Sequence, residues 1–171
     1  MSSGGARFVA SISAARDTGA SWKSLEDLAQ AIAGHRLFTV MTVDLAAGVV
    51  RRAYSNRPGE YPTSGTKPLH GNTGAWFDTV FERRQTFVAN TIDDIAEVFP
   101  DHELIGSMGL GSVVNYPVVL EGALVAAINL LDVAGHYTPE RVAAIESELA
   151  IPARLCSALA LRFDASPTGS G

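Results

Sequence analysis

Two apolar runs, Val113–Leu120 and Ala123–Leu131, flank the dipeptide Glu121-Gly122. A β-rich run, a two-residue polar turn carrying Gly and a second apolar run predict a hairpin. Both faces of both strands are apolar, so the hairpin belongs at the covered centre of a sheet and not at its edge. Elsewhere the pattern alternates between the helical period and short β-rich stretches. Phe8, Val9, Ile12 and Ala15 are spaced for a short amphipathic helix over Ala6–Asp17, ended by Asp17-Thr18-Gly19. Ser24, with Asp27 three residues on, predicts the start of a second helix that buries Leu25, Leu28, Ala29 and Ile32 and stops at Gly34.

Leu37–Asp44 and Val49–Ser55 are β-branched and aromatic, and the turn Leu45–Gly48 makes them a first hairpin. Arg51 and Arg52 are adjacent and therefore point to opposite faces, one of them needing the sheet edge or a charged partner. Asn56–His70 holds three prolines and two glycines, which predicts no regular element and marks a long connection of the functional kind. Asn72 or Thr73 can cap a helix reaching Arg83, with Trp76, Phe77, Val80 and Phe81 on one face. Gln85–Ala89 reads as a short strand. Thr91 or Asp93 starts a brief helix that runs to Phe99 and ends at Pro100, and Asp101 caps another turn through Glu103–Met108. Thr138-Pro139-Glu140 starts a last helix to about Phe163, which Pro152 should kink or break. The order implies an α+β fold: an antiparallel sheet of about five or six strands with helices over its faces.

Composition narrows the classes. Hydrophobic residues make up 47% and charged ones 18%, as in a globular protein that buries its own core. A net charge of −5 without a long basic run argues against nucleic acid. One cysteine, Cys156, excludes an internal disulfide and a multi-cysteine metal or redox cluster. The four histidines, His35, His70, His102 and His136, have no pair at ligand spacing, so neither a metal nor a cofactor is expected. Nothing at the N-terminus resembles a signal peptide and no apolar run reaches membrane-spanning length, which makes the default reading cytoplasmic, with no membrane partner.

The span from Ser24 to Leu161 resembles a GAF domain, the small-molecule sensory fold related to PAS. LVAAINLLD looks like the closing strand of that family, with Ala126 where Gly is common, and SVVNYPVV like the strand before it, with Pro117 at the usual proline. YSNRPGEYPTSGTKP, TGAWFDTVFERRQTFVAN and FPDHELIGSMGLGSVVNYPV are similar to stand-alone bacterial GAF proteins of undefined activity. The resemblance implies a GAF/PAS-like antiparallel sheet with the N- and C-terminal helices on one face and a ligand cavity on the other, under the insert Asn56–Gly111. It divides the chain into an N-terminal helical extension (1–23), a GAF-like domain (24–164) and a disordered tail (165–171), with residues 1–5 frayed as well. Relatives bind cyclic nucleotides, bilins, haem or small metabolites, and one branch reduces free methionine sulfoxide. The insert lacks the cysteines that the reductases and bilin thioethers need, and the Asn-Lys-Phe-Asp-Glu signature of the cyclic-nucleotide branch is missing.

Five residues are candidates for lining the cavity. Trp76 can stack on a planar ligand or be ordinary core. Tyr61 can close the pocket or pin its loop. Lys67 can anchor a carboxylate or phosphate, against the bland reading of a solvated lysine. His102 can offer an imidazole to a ligand or bond backbone in a first helical turn. Asn115 and Asn129 interrupt the apolar hairpin and need partners. With Glu121-Gly122 as the turn, Leu120 faces Ala123 and Asn115 faces Ile128, so the two amides fall on opposite faces. Asn115 is then expected on the ligand side and Asn129 against backbone near the terminal helices, an assignment that a bulge at Pro117 would reverse. No G-x-S-x-G elbow or dinucleotide fingerprint is present.

The reading is a small-molecule-binding sensory or regulatory module for a small polar, anionic metabolite. It carries no output domain and dimerises through its terminal helices. The alternatives are a small enzyme using Lys67, His102 and Asn115 on a compact substrate, and a ligand-free interaction module whose cavity is filled by its own side chains.

Overall fold

The computed structural model of the protein describes residues 3–63, 65–69 and 73–165. The cap candidate Asn72 and the tail from Ser166 lie outside them. Helix α1 spans Ser3–Ala14 and α2 spans Thr18–Ile32. Asp17 does not end α1. It caps α2, its carboxylate accepting the Ala20 N–H at 2.8 Å. Ser24, expected as that cap, sits inside α2 instead and donates its hydroxyl back to the Ala20 carbonyl. The helix therefore runs unbroken across the expected 23/24 boundary, and Ser3 to Gly5 belong to α1.

Strands β1 (Leu37–Asp44) and β2 (Val49–Ser55) form the first hairpin, as their β-branched and aromatic content predicts. The proline-rich connection is not wholly irregular: Thr66–Pro68 forms a short edge strand, β3, on β2. Proline is tolerated there because an edge leaves a row of N–H positions unused. Residues Phe77–Glu82 form a π-helical segment in place of the expected α-helix to Arg83. It is marked by the Arg83 N–H reaching the Asp78 carbonyl five residues back, and it stops at Arg84, whose φ is +55°. Strand β4 (Phe87–Ala89), α3 (Ile92–Ala96) and α4 (His102–Ser107) follow. The closing hairpin is β5 (Ser112–Leu120) and β6 (Ala123–Asp132).

The sheet is antiparallel in the order β3-β2-β1-β6-β5-β4. Its helix-side face buries Phe38, Val40, Val114, Tyr116, Ile128 and Leu130 against α1, α2 and the two C-terminal helices. Those helices are α5 (Pro139–Glu148) and α6 (Ala150–Ala165), separated only by Leu149. Pro152 splits the expected single helix. Its missing N–H and its ring exclude the bond to Glu148, four residues back, whereas in the first turn of α6 neither is a penalty.

Two bulges decide which side chains face which layer. In β1–β2 the register runs Val40↔Tyr54 and then Met41↔Arg52, leaving Ala53 unpaired. Tyr54 consequently joins the helix side, where its hydroxyl donates to Glu26 at 2.6 Å, while Arg52 turns to the opposite face. In β5–β6 the register runs Val119↔Leu124 and then Val118↔Ala126, leaving Val125 unpaired. Beyond that point every pairing is shifted by one from the simple hairpin, so Asn115 faces Asn129 and not Ile128.

Candidate functional site

On the face away from the terminal helices, the sheet, the β2–β4 connection and α3–α4 enclose a cavity of about 350 Å³. Val113 and Leu131 form an apolar floor, continuous with a second core cluster that includes Leu37, Ile95, Ile105 and Leu110. Of the five candidates, Tyr61, Lys67, Trp76 and Asn115 line the cavity. His102 is not among the lining residues; its Nδ1 lies 3.0 Å from the Phe99 carbonyl, a bond across the turn that leads into α4.

The expectation for Asn129 is overturned. The Val125 bulge brings it onto the cavity face beside Asn115, and a chain of hydrogen bonds crosses three strands there. Asn115 Nδ2 donates to Asn129 Oδ1 at 2.5 Å, and Asn129 Nδ2 donates to Thr39 Oγ1 at 3.0 Å. Both amides are buried, and the Asn115 carbonyl oxygen at the end of the chain has no partner among the described residues. Trp76 likewise carries an indole N–H without one.

Arg52 and Asp101 are the residues that sequence reasoning missed. The guanidinium of Arg52 stacks on Tyr61 with its central carbon 3.8 Å from the ring centroid, a cation–π contact. Its Nη1 donates to the Pro62 carbonyl at 2.8 Å. The Tyr61 hydroxyl donates to Asp101 Oδ2, which ties the β2–β3 loop to the start of α4. Asp101 therefore stands at the N-cap of α4 without using its side chain as a cap. Burial first, and the hydrogen bond to the Asp101 carboxylate second, hold the Tyr61 phenol well above its ordinary pKa, so it is a neutral donor. The adjacent arginines were visible in the sequence; the bulge at Ala53 that aims the second one inward was not.

Among the described residues the lining carries two cations, Arg52 and Lys67, against one carboxylate, Glu97. Lys67 and Glu97 are exposed at the rim and form no ion pair among the described residues. Cys156 lies in the opposite, helical layer, where burial pushes its thiol up to about 11 and leaves it a packing residue. No group of three or more His, Cys, Asp or Glu suited to a metal occurs among the described residues, and no helix there is long and apolar enough to cross a membrane.

The layered sheet with terminal helices on one face and an insert-roofed cavity on the other has close structural counterparts. The GAF domain of a phosphoenolpyruvate-protein phosphotransferase from Acinetobacter superposes with a TM-score of 0.65 over 97% of this chain and 100% of that one, at 10% identity. The corresponding domain from Coxiella burnetii gives 0.64 over 92% and 93%, at 14% identity. The fold is that of a GAF domain. A GAF domain of a two-component sensor histidine kinase from Bacillus halodurans adds a third counterpart, with a TM-score of 0.61 over 84% of this chain and 91% of that one, at 13% identity. No protein-family model and no curated protein matches the sequence. The GAF fold thus rests on architecture.

Proposed function

We propose that this GAF-fold protein is a sensory or regulatory module that binds a small polar, anionic metabolite in the cavity between sheet and insert. The observation that carries the reading is the cavity itself. It lies where GAF-type cavities are expected, its floor is apolar, and polar groups without internal partners sit in its wall. An excess of cationic over anionic lining residues supports a negative charge on the ligand. Tyr61, Lys67, Trp76 and Asn115 are the binding residues of this reading, with Arg52, Thr39 and Asn129 added.

The enzymatic alternative loses its acid–base residue, because His102 stands outside the lining and bonds its own turn. The ligand-free alternative requires a cavity filled by Tyr61, Trp76 and Asn115, and these residues border open space instead. Thermal-shift screening of a metabolite panel, with each hit recovered and analysed for chemical change, tests the reading. The expected result is stabilisation by a small anion that is recovered intact; turnover of a hit, or no hit among anions, would overturn it.

The terminal helices support the expected homodimer. Val9 on α1 and Ile151, Leu155 and Leu161 on α6 leave large apolar side chains exposed. A double Ile151→Glu, Leu155→Glu variant is expected to be monomeric by light scattering while the parent is dimeric. A monomeric parent would refute the dimer.

A further inference from the structure

Arg52 has a hydrogen-bonding capacity that is spent in one direction and unspent in another. A guanidinium presents five N–H donors in a planar fork. Nη1 is committed to the Pro62 carbonyl, and the Tyr61 ring covers one face. Gly65 makes room for the group: a Cβ built there would stand 3.2 Å from Nη1 and 3.8 Å from the central carbon. The Arg52 backbone N–H meanwhile bonds the Gly65 carbonyl at 2.9 Å, which fixes strand and side chain against the same residue. The edge that remains is Nε with Nη2. Among the described residues Nε is buried without a partner, and no carboxylate comes within ion-pairing distance of Arg52.

That edge is the one whose two parallel N–H bonds match the two oxygens of a carboxylate. Its plane is fixed in advance, by Tyr61 stacked on it and by Asp101 holding Tyr61. A buried cationic edge left unpaired is unfavourable, and a ligand anion relieves it. Lys67, on β3 opposite Val50, adds a second cation to the same lining. Glu97, the one carboxylate among the described lining residues, disfavours a second negative charge. We propose that the ligand is a small monocarboxylate whose carboxylate is read by the Nε–Nη2 edge of Arg52, which makes Arg52 the specificity-determining residue of the cavity. The proposal rests on the ligand-binding reading above and narrows it. The rest of the ligand is polar and uncharged, facing the Asn115 end of the amide chain.

Calorimetric titration of the purified protein with a series of small monocarboxylic acids, and with the primary amides of the same acids, tests the proposal. At least one acid is expected to bind, and its amide to bind about tenfold to a hundredfold more weakly. Arg52→Lys, which keeps the charge and loses the fork, is expected to weaken the acid about tenfold and the amide much less, narrowing the acid-to-amide ratio. Gly65→Ala, which presses on the guanidinium without removing it, is expected to weaken the acid in the same sense and serves if Arg52→Lys fails to fold. Acid and amide binding equally, with no effect of either variant, would overturn the role of Arg52 while leaving a ligand-binding cavity. No binding of anything in either series, with no small molecule co-purifying, would overturn the ligand-binding reading and this proposal together.

Discussion

At the scale of single residues, the cavity wall is held by groups whose value depends on one another. Asn129 is the middle member of the Thr39–Asn129–Asn115 chain, accepting from one neighbour and donating to the other. Replacing it by Ala leaves the Asn115 amide without its acceptor and removes the donor to Thr39, all in buried surroundings. A group stranded in this way costs about 1–3 kcal/mol. Asn129→Ala is therefore expected to lower unfolding free energy by about 2–3 kcal/mol in urea denaturation. Asn115→Ala, at the end of the chain, should cost less. Equal losses for the two would mean that the amides do not act as a chain. Neither residue's role follows from its identity alone. The sequence shows two amides in an apolar hairpin; which layer they enter depends on pairing.

At the scale of elements, the closing hairpin shows how a turn and a bulge share control of the register. Its two turn residues both have positive φ, +49° at Glu121 and +78° at Gly122. Gly adopts that conformation freely, whereas a residue with a Cβ is strained in it. Glu121→Asn, which suits such a turn, is expected to raise stability by about 0.5–1 kcal/mol in thermal or chemical unfolding. No gain would argue that the Glu121 side chain contributes something the turn conformation does not reveal. Both hairpins and their turns were legible from β-branched content and turn residues, the outer ends of the closing hairpin to within one residue, since those signals are local. The bulges at Ala53 and Val125 were not, because an unpaired residue in an apolar run leaves no compositional mark. That difference explains why Lys67, Tyr61, Trp76 and Asn115 could be named from sequence while Arg52 and Asn129 could not. The π-helical turn at Phe77–Glu82 and the edge strand at Thr66–Pro68 were hidden for a related reason: both are set by tertiary contact and run against local propensity. His102 shows the opposite case, in which a chemically capable residue is absorbed by the turn that leads into its helix.

At the scale of the whole molecule, two layers share one sheet, and the helical one contains a group that links stability to pH. His35 is buried after α2, its ring against Phe38 and its Nε2 3.3 Å from the Glu26 carbonyl. Burial is the largest influence and lowers its pKa below the ordinary 6.5; the bond to the Glu26 carbonyl and the charges of Glu26 and Asp132 oppose this, while Lys23 adds to it. The folded state thus favours neutral imidazole, and below 6.5 the unfolded chain takes up the proton first. The stabilisation is fully present above pH 6.5 and is lost as pH falls below it, with a slope of at most about 1.4 kcal/mol per pH unit. A His35→Gln variant should show a flatter dependence in that window than the parent; parallel curves would remove His35 as the cause. The other layer carries the central claim, that the cavity under the insert holds a small anion. Native mass spectrometry of protein purified from cells without added ligand tests it most directly. The account predicts a bound mass of small-molecule size that leaves as an anion on denaturation and is reduced in Arg52→Lys. A spectrum with only the bare chain, in a protein that no small anion stabilises, would contradict it.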